Sequence, residues 1–273
     1  MAKIDRLGWA AGLSFVSYGV RVGLRVNRPE ALEMIQSYLP PGWKPTAREV
    51  VERLYSIIVG GNTARPGVRS FNLLYADAGR IVRSLNPDEV LERFEDDCKL
   101  FVAEAARRRV FVHAGVVGWK GKAIVIPGRS FTGKTTLVAE LVRQGATYYS
   151  DEYAVLDRRG CVHPYLRPLS IRDASSGKVE RVAASSLGGQ LGGKPLPVGL
   201  VVVSNYKEGA RWRPRKLTAG EGALAMFANT VPARRQPGAA LTALREAMPQ
   251  AQILKGVRGE AREMADSILR ELA

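Results

Sequence analysis

Residues 123–152 read AIVIPGRSFTGKTTLVAELVRQGATYYSDE. An apolar run, Ala123 to Pro127, leads into a loop of the form G-x-x-x-x-G-K-T from Gly128 to Thr135. A run of helical period follows to Gln144, then a second apolar run, Thr147 to Ser150, and the acidic pair Asp151-Glu152. The pattern predicts strand, loop, helix and strand, the context that separates a working glycine loop from a chance match. Gly128 and Gly133 let the backbone turn so that successive N–H groups face phosphate oxygens, and a helix starting near Lys134 adds its positive end. Lys134 has the reach for the β and γ phosphates of a nucleotide, and the Thr135 hydroxyl is placed to coordinate the Mg2+ that bridges them. The expected nucleotide-binding residues are Gly128, Arg129, Ser130, Phe131, Thr132, Gly133, Lys134, Thr135 and Thr136, with ATP or another nucleotide and Mg2+ as cofactors.

The acidic pair narrows the chemistry. Seventeen residues separate Lys134 from Asp151, room for a helix closed by Gly145 and a return strand, Thr147 to Ser150, parallel to the first. That crossover brings Asp151 and Glu152 to the carboxyl end of a strand beside the cradle, where open α/β sheets bind ligands. One carboxylate then holds the metal with Thr135 and the other accepts a hydroxyl proton as phosphate transfers. The expected catalytic residues are Asp151 and Lys134, and the expected metal ligands are Thr135, Asp151 and Glu152. A competing reading makes one of the two acids merely structural.

His113-Ala114-Gly115, the loop Gly128 to Thr135 and Ser150-Asp151-Glu152 together resemble the catalytic core of the HPr serine kinase/phosphorylase family and its HPr-kinase-related relatives. His113 precedes Lys134 by 21 residues. The resemblance spans about residues 110–172. It implies a nucleotide-dependent kinase core related to phosphoenolpyruvate carboxykinase, with Asp151 as general base, Glu152 near the metal, His113 near the transferring phosphate, and assembly as a homo-oligomer. Read from its strand alone, His113 is equally a hydrogen-bonded structural histidine. Two features depart from the family: Glu152 stands where a second aspartate is usual, and the later glycine-rich segment tied to the phosphorylase reaction is missing. The missing segment implies a kinase without phosphorylase activity, and an N-terminal part unlike that of the bifunctional enzymes implies an acceptor other than HPr.

Composition bounds the remainder. The chain has 273 residues, 46% of them hydrophobic, enough for one large core or two smaller ones. A formal net charge of +15 favours acidic partners, or else marks an arginine-rich solvated surface. Cys98 and Cys161 lie far apart without a C-x-x-C, and with His113 and His163 the only histidines a structural zinc site lacks ligands. The chain reads as cytoplasmic. The uncharged run Leu7 to Val20 faintly imitates a signal peptide but lacks a cleavage site and is too short to span a bilayer.

Before the cradle, Tyr18 to Asn27 alternates like a half-buried strand. Pro29 opens a helix with Leu32, Ile35 and Leu39 as its apolar stripe. Thr46 caps a further predicted helix through Tyr55, Gly60-Gly61-Asn62 forms a turn, and Phe71 to Tyr75 a strand. Asn86, Pro87 and Glu89 open the best-signalled helix, with Val90, Phe94, Cys98, Phe101 and Ala105 on one face. Val110 to Val117 and Ala123 to Pro127 form an antiparallel pair around Trp119 to Lys122.

Beyond the acidic pair, Tyr153 to Leu156 and Cys161 to Tyr165 make a hairpin. Ser170 to Pro197, with Arg172, Lys178, Arg181 and Lys194 among glycines, predicts a mobile basic segment that either closes over an acceptor or is a plain flexible insertion. Val198 to Ser204 is a buried strand. Arg211 to Lys216 is a charged hairpin, or a basic and aromatic patch for a base or nucleic acid. Ile253-Leu254 is a short strand, and helices at Ala219 to Asn229, Ala239 to Met248 and Gly259 to Leu272 cap the sheet.

The expected architecture is α/β: a P-loop-containing mixed-sheet core of the HPr-kinase C-terminal-like (PEP-carboxykinase-like) kind over residues 107–273, with a smaller N-terminal α/β lobe over residues 1–106. The expected function is ATP-dependent transfer of a phosphoryl group to a serine-type hydroxyl of a protein, peptide or small molecule. The expected partners are thus a nucleotide and a hydroxyl-bearing acceptor, with no membrane, and nucleic acid not favoured. The alternative is a nucleotide-binding regulatory module that docks an acidic protein or nucleic acid with little turnover.

Overall fold

In the computed structural model, which describes residues 3–48, 50–61, 69–128, 132–172 and 178–272, the chain is mixed α/β and divides into two units, Met1–Arg107 and Arg108–Ala273. In the first unit the alternation of Val20, Val22, Leu24 and Val26 buries all four from β2 (Val20–Val26), which pairs antiparallel with β1 (Ala11–Ser17). The uncharged run Leu7 to Val20 thus holds a strand and a tight turn, with Tyr18 and Gly19 at φ of 49° and 81°. Helix α1 (Glu30–Gln36) and the short β3 (Lys44–Pro45) follow.

Thr46 caps no helix. The chain instead runs into β4 (Arg53–Ile58), which lies parallel to β2 from Val22↔Arg53 to Val26↔Ile57. Tyr55 and Ile57 bury on one face, and this pairing with a distant strand outweighs the local cap signal. The turn at Gly60 and Gly61 is tied by Asn72 Oδ1 and Ser70 Oγ, and Asn62 lies outside the described residues. β5 (Asn72–Ala76) and β6 (Gly79–Ser84) complete a six-stranded sheet among the described residues, in the order β3-β1-β2-β4-β5-β6. Helix α2 (Pro87–Ala105) packs Val90, Phe94, Cys98 and Val102 onto it. Asn86 caps this helix by accepting from the Asp88 N–H at 3.0 Å, while Glu89 turns to Ser84 Oγ rather than closing a capping box.

The second unit is built around β7 (Val110–Trp119) and β8 (Lys122–Pro127), joined by a turn with Lys120 and Gly121 at φ of 46° and 77°. Helix α3 (Lys134–Arg143), β9 (Thr147–Ser150), β10 (Tyr153–Leu156) and β11 (Cys161–His163) come next. They are followed by β12 (Leu169–Arg172), β13 (Val179–Val182), β14 (Leu196–Tyr206), β15 (Arg215–Lys216), α4 (Ala219–Phe227), α5 (Pro237–Ala247), β16 (Gln252–Arg258) and α6 (Ala261–Glu271). Among the described residues the main sheet runs β11-β10-β7-β8-β14-β16-β15, with β9 on β7. β8, β14 and β16 are mutually parallel, and β14 is buried on both faces as a central parallel strand should be. Val112, Ala114, Val125 and Val201 face Ala243 and Leu244 of α5. Ile124, Ile126 and Val202 face Leu137 and Val138 of α3 and Met264 and Ile268 of α6.

Three expectations change here. β9 is not the neighbour of β8: both pair antiparallel with β7, which lies between them, so they share a direction without touching. The stretch from Ser170 to Pro197 is not a free segment. β12 and β13 pair, the backbone of Tyr148 bonds Gln190 and Gly192, and a Cβ on Gly192 would lie 2.4 Å from the Tyr149 ring. Its glycine there permits contact. Residues 173–177 lie outside the described set. Finally, the C-terminal helices cover both faces, α4 and α5 on one and α6 with α3 on the other. No helix among the described residues is long and apolar enough to cross a membrane.

The seat of α3 on the sheet depends on Gly115, where a Cβ would lie 2.5 Å from Val138 Cγ2. Gly115→Ala should destabilise the second unit by about 1–3 kcal/mol through overpacking, read as a lowered midpoint in urea denaturation. An unchanged midpoint would show that α3 can lift off at no cost.

Candidate functional site

The site forms where β8 gives way to the glycine loop. Gly128 N–H donates to the His113 carbonyl at 3.1 Å, which ties the loop's first residue to β7. Arg129, Ser130 and Phe131, which belong to the expected cradle, lie outside the described residues. At the loop's far end Gly133 caps α3 with φ 76° and ψ 20°, a left-handed conformation that suits glycine. A Cβ on Gly128 would lie 3.0 Å from Thr132 Oγ1 and 3.6 Å from Lys134 Cδ, so a side chain there would press on Thr132. Lys134 and Thr135 begin the helix, and Thr136 is exposed.

On the opposite edge of β7, β9 and β10 follow one another, with Val116↔Ser150 and His113↔Tyr153 as the flanking pairs. Asp151 and Glu152 occupy the gap between the two strands. Ser150 Oγ accepts from the N–H groups of Glu152 and Tyr153, and the Glu152 carbonyl accepts from Ala114 N–H at 3.1 Å. The glycine loop and the acidic pair are thus two strand spacings apart, about 10 Å. Helix α3 closes that gap by crossing over Gly115, and Thr135 Oγ1 donates to Asp151 Oδ2 at 3.0 Å.

Asp151 is 9% exposed. Its Oδ2 also accepts from Ser170 N–H at 3.3 Å. Its Oδ1 lies 3.0 Å from the Tyr148 hydroxyl, which shares its proton with the Arg167 carbonyl at 2.8 Å. Burial and the Asp151 charge push the Tyr148 phenol far above its ordinary range, so it remains a donor. His113 shares the α3 side of β7 with Gly115 by strand alternation, half-buried, its ring 4.9 Å from that of Tyr153. Phe111, Tyr153 and Tyr165 pack edge to face beside it.

A Mg2+ ion takes hard oxygen ligands, commonly one or two carboxylates with nucleotide phosphates and waters. The Thr135 hydroxyl and Asp151 carboxylate already stand at hydrogen-bond distance, and among the described residues no three His, Cys, Asp or Glu side chains gather into a metal site. This sparse oxygen set fits Mg2+ shared with a nucleotide.

The structure therefore brings Gly128, Thr132, Gly133, Lys134 and Thr135 together with His113, Asp151 and Glu152 around one stretch of β7. It adds three partners unmarked in the sequence: Tyr148 and Ser170 on Asp151, and Arg258, whose Nη2 donates to the Thr132 and Gly133 carbonyls at 2.9 and 3.0 Å. Arg258 ends a parallel strand, the position where α/β sheets place ligand contacts, and that was the available signal.

No family model matches the chain, and no curated protein matches its sequence. Among solved structures, the Hpr(Ser) kinase/phosphatase from Coxiella burnetii is similar at 12% identity and a TM-score of 0.34, over 59% of this chain and 87% of that one. So shallow a likeness carries neither family nor activity to this chain.

Lys134 sits in the same pocket of charge. Burial lowers its pKa, and attraction to Asp151 and Glu152 only partly offsets that. A lysine whose folded pKa is depressed subtracts stability while both states are protonated, and the deficit shrinks as pH rises from the folded toward the unfolded pKa. Lys134→Met should therefore be at least as stable as wild type at pH 7, with the difference narrowing toward pH 10, in paired urea titrations. A Met variant less stable at pH 7 would mean that the carboxylates outweigh burial.

Proposed function

We propose that the chain is a nucleotide-dependent phosphotransferase that uses ATP or another nucleotide with Mg2+ to phosphorylate a serine-type hydroxyl of a protein, peptide or small molecule. The observation that carries the reading is the Thr135 to Asp151 hydrogen bond of 3.0 Å, because it joins the end of the glycine loop to the acidic pair through two hard oxygens of the kind Mg2+ takes. In this reading the second unit is a P-loop catalytic domain with an HPr-kinase-like core, and the first unit is its accessory lobe.

The loop backbone from Gly128 to Gly133 and the amino end of α3 bind the phosphates, and Lys134 adds its charge from a desolvated position. Thr135 and Asp151 would hold the ion, which would neutralise charge on the nucleotide's phosphates. Asp151 has both oxygens committed to Thr135, Ser170 and Tyr148, which suits a ligand more than a base. The acceptor's proton then falls to Glu152, which reverses the division of labour that the resemblance implies. His113, on the same face of β7, orients the transferring phosphate.

Measured by release and transfer of the terminal phosphate, Lys134→Ala should lose about 100-fold or more in kcat/KM, roughly 3 kcal/mol. Glu152→Gln should bind nucleotide with Mg2+ yet turn over about 100-fold more slowly, whereas Asp151→Asn should lose the Mg2+ dependence of binding. Nearly unchanged phosphotransfer by Lys134→Ala would sink the reading. Tight nucleotide binding by the wild type with no turnover toward any acceptor would favour the regulatory module.

A further inference from the structure

Arg258 ends β16, in parallel register with Tyr206 of β14, and is 3% exposed. Its guanidinium reaches back 126 residues along the sequence to the Thr132 carbonyl at 2.9 Å and 125 residues to the Gly133 carbonyl at 3.0 Å, both through Nη2. Nη1 donates to Gly259 O at 3.3 Å. Cζ lies 5.3 Å from the centre of the Tyr206 ring, and the Tyr206 hydroxyl donates to Glu260 Oε1 at 2.9 Å. The arginine is thus clamped, and its clamp is independent of the loop.

A trans peptide is planar, with its C=O and N–H pointing in opposite directions. A donor that holds the Thr132 carbonyl therefore turns the Gly133 N–H the other way, and one that holds the Gly133 carbonyl does the same for the Lys134 N–H. These two groups open α3, where phosphate oxygens dock on a glycine loop. The second glycine of the motif also acquires a specific steric reason, since a Cβ on Gly133 would lie 2.4 Å from Arg258 Nη2.

We propose that Arg258 is a positioning residue that aims the Gly133 and Lys134 N–H groups at the nucleotide's phosphates by holding the carbonyls behind them. The inference rests on the phosphotransferase reading. Lysine cannot substitute: its ammonium ends one bond short of Nη2 and lacks the planar fork.

The test compares wild type, Arg258→Lys and Arg258→Gln for the Kd of Mg2+-ATP, by calorimetry, and for the urea midpoint. Arg258→Lys keeps the apolar stem and the charge but leaves the two loop carbonyls unpaired, so its midpoint should fall only modestly while its Kd, measured where the variant is fully folded, rises about tenfold or more. The Tyr206→Leu variant, altered at an exposed ring, should loosen the clamp and raise Kd by a smaller factor. An arginine that only filled space would give the reverse pattern, with the Lys variant restoring affinity and stability together. Arg258→Lys binding Mg2+-ATP as tightly as wild type overturns the inference and leaves the phosphotransferase reading standing. Wild type that binds no nucleotide overturns both.

Discussion

The proposed site turns on one hydrogen bond, from Thr135 Oγ1 to Asp151 Oδ2. It spans two edges of β7, and it exists only because α3 lies close enough to the sheet to cross that strand. The close seat has two causes. Gly115 presents no side chain beneath Val138, and Leu137, Val138, Leu141 and Val142 bury one face of α3 against Ile124, Ile126 and Val202. Packing of apolar surface thus sets the position of a polar contact, the usual order of dependence in a rigid site.

Three cations in the chain show how differently buried charge is managed. Arg53 of the first unit lies over the Phe101 ring at 4.1 Å and bonds Asp97 at 3.2 Å, where the Tyr55 hydroxyl also donates; its role is to fix α2 on the sheet. Arg258 faces carbonyls, a neutral set of acceptors that a planar fork can bridge. Lys134 lies within the fields of Asp151 and Glu152, and burial lowers its pKa by more than their attraction raises it.

The two ends of the glycine loop, the helix after it and the hairpin before it were legible because each is written in local terms: motif spacing, period, turn residues. The same holds for α2, whose Asn86 cap and apolar stripe are local. What was not legible is non-local. β4 stands where Thr46 announced a helix because its partner is β2, and no residue between 46 and 55 records that. The insertion of β7 between β8 and β9 leaves no trace in the crossover itself. Gly192 reads as a flexible residue until the Tyr149 ring appears against it, and Arg258 reads as one more arginine in a basic chain until its carbonyl partners are in place.

The proposed site at Thr135, Lys134 and Asp151 is to take a nucleotide together with a divalent ion. Its most direct test is calorimetric titration of the wild-type chain with ATP at low salt, with Mg2+ and again with a chelator. The account predicts saturable binding of one nucleotide per chain that weakens by at least about tenfold when the ion is removed. Binding indifferent to Mg2+, or none at all, would contradict it.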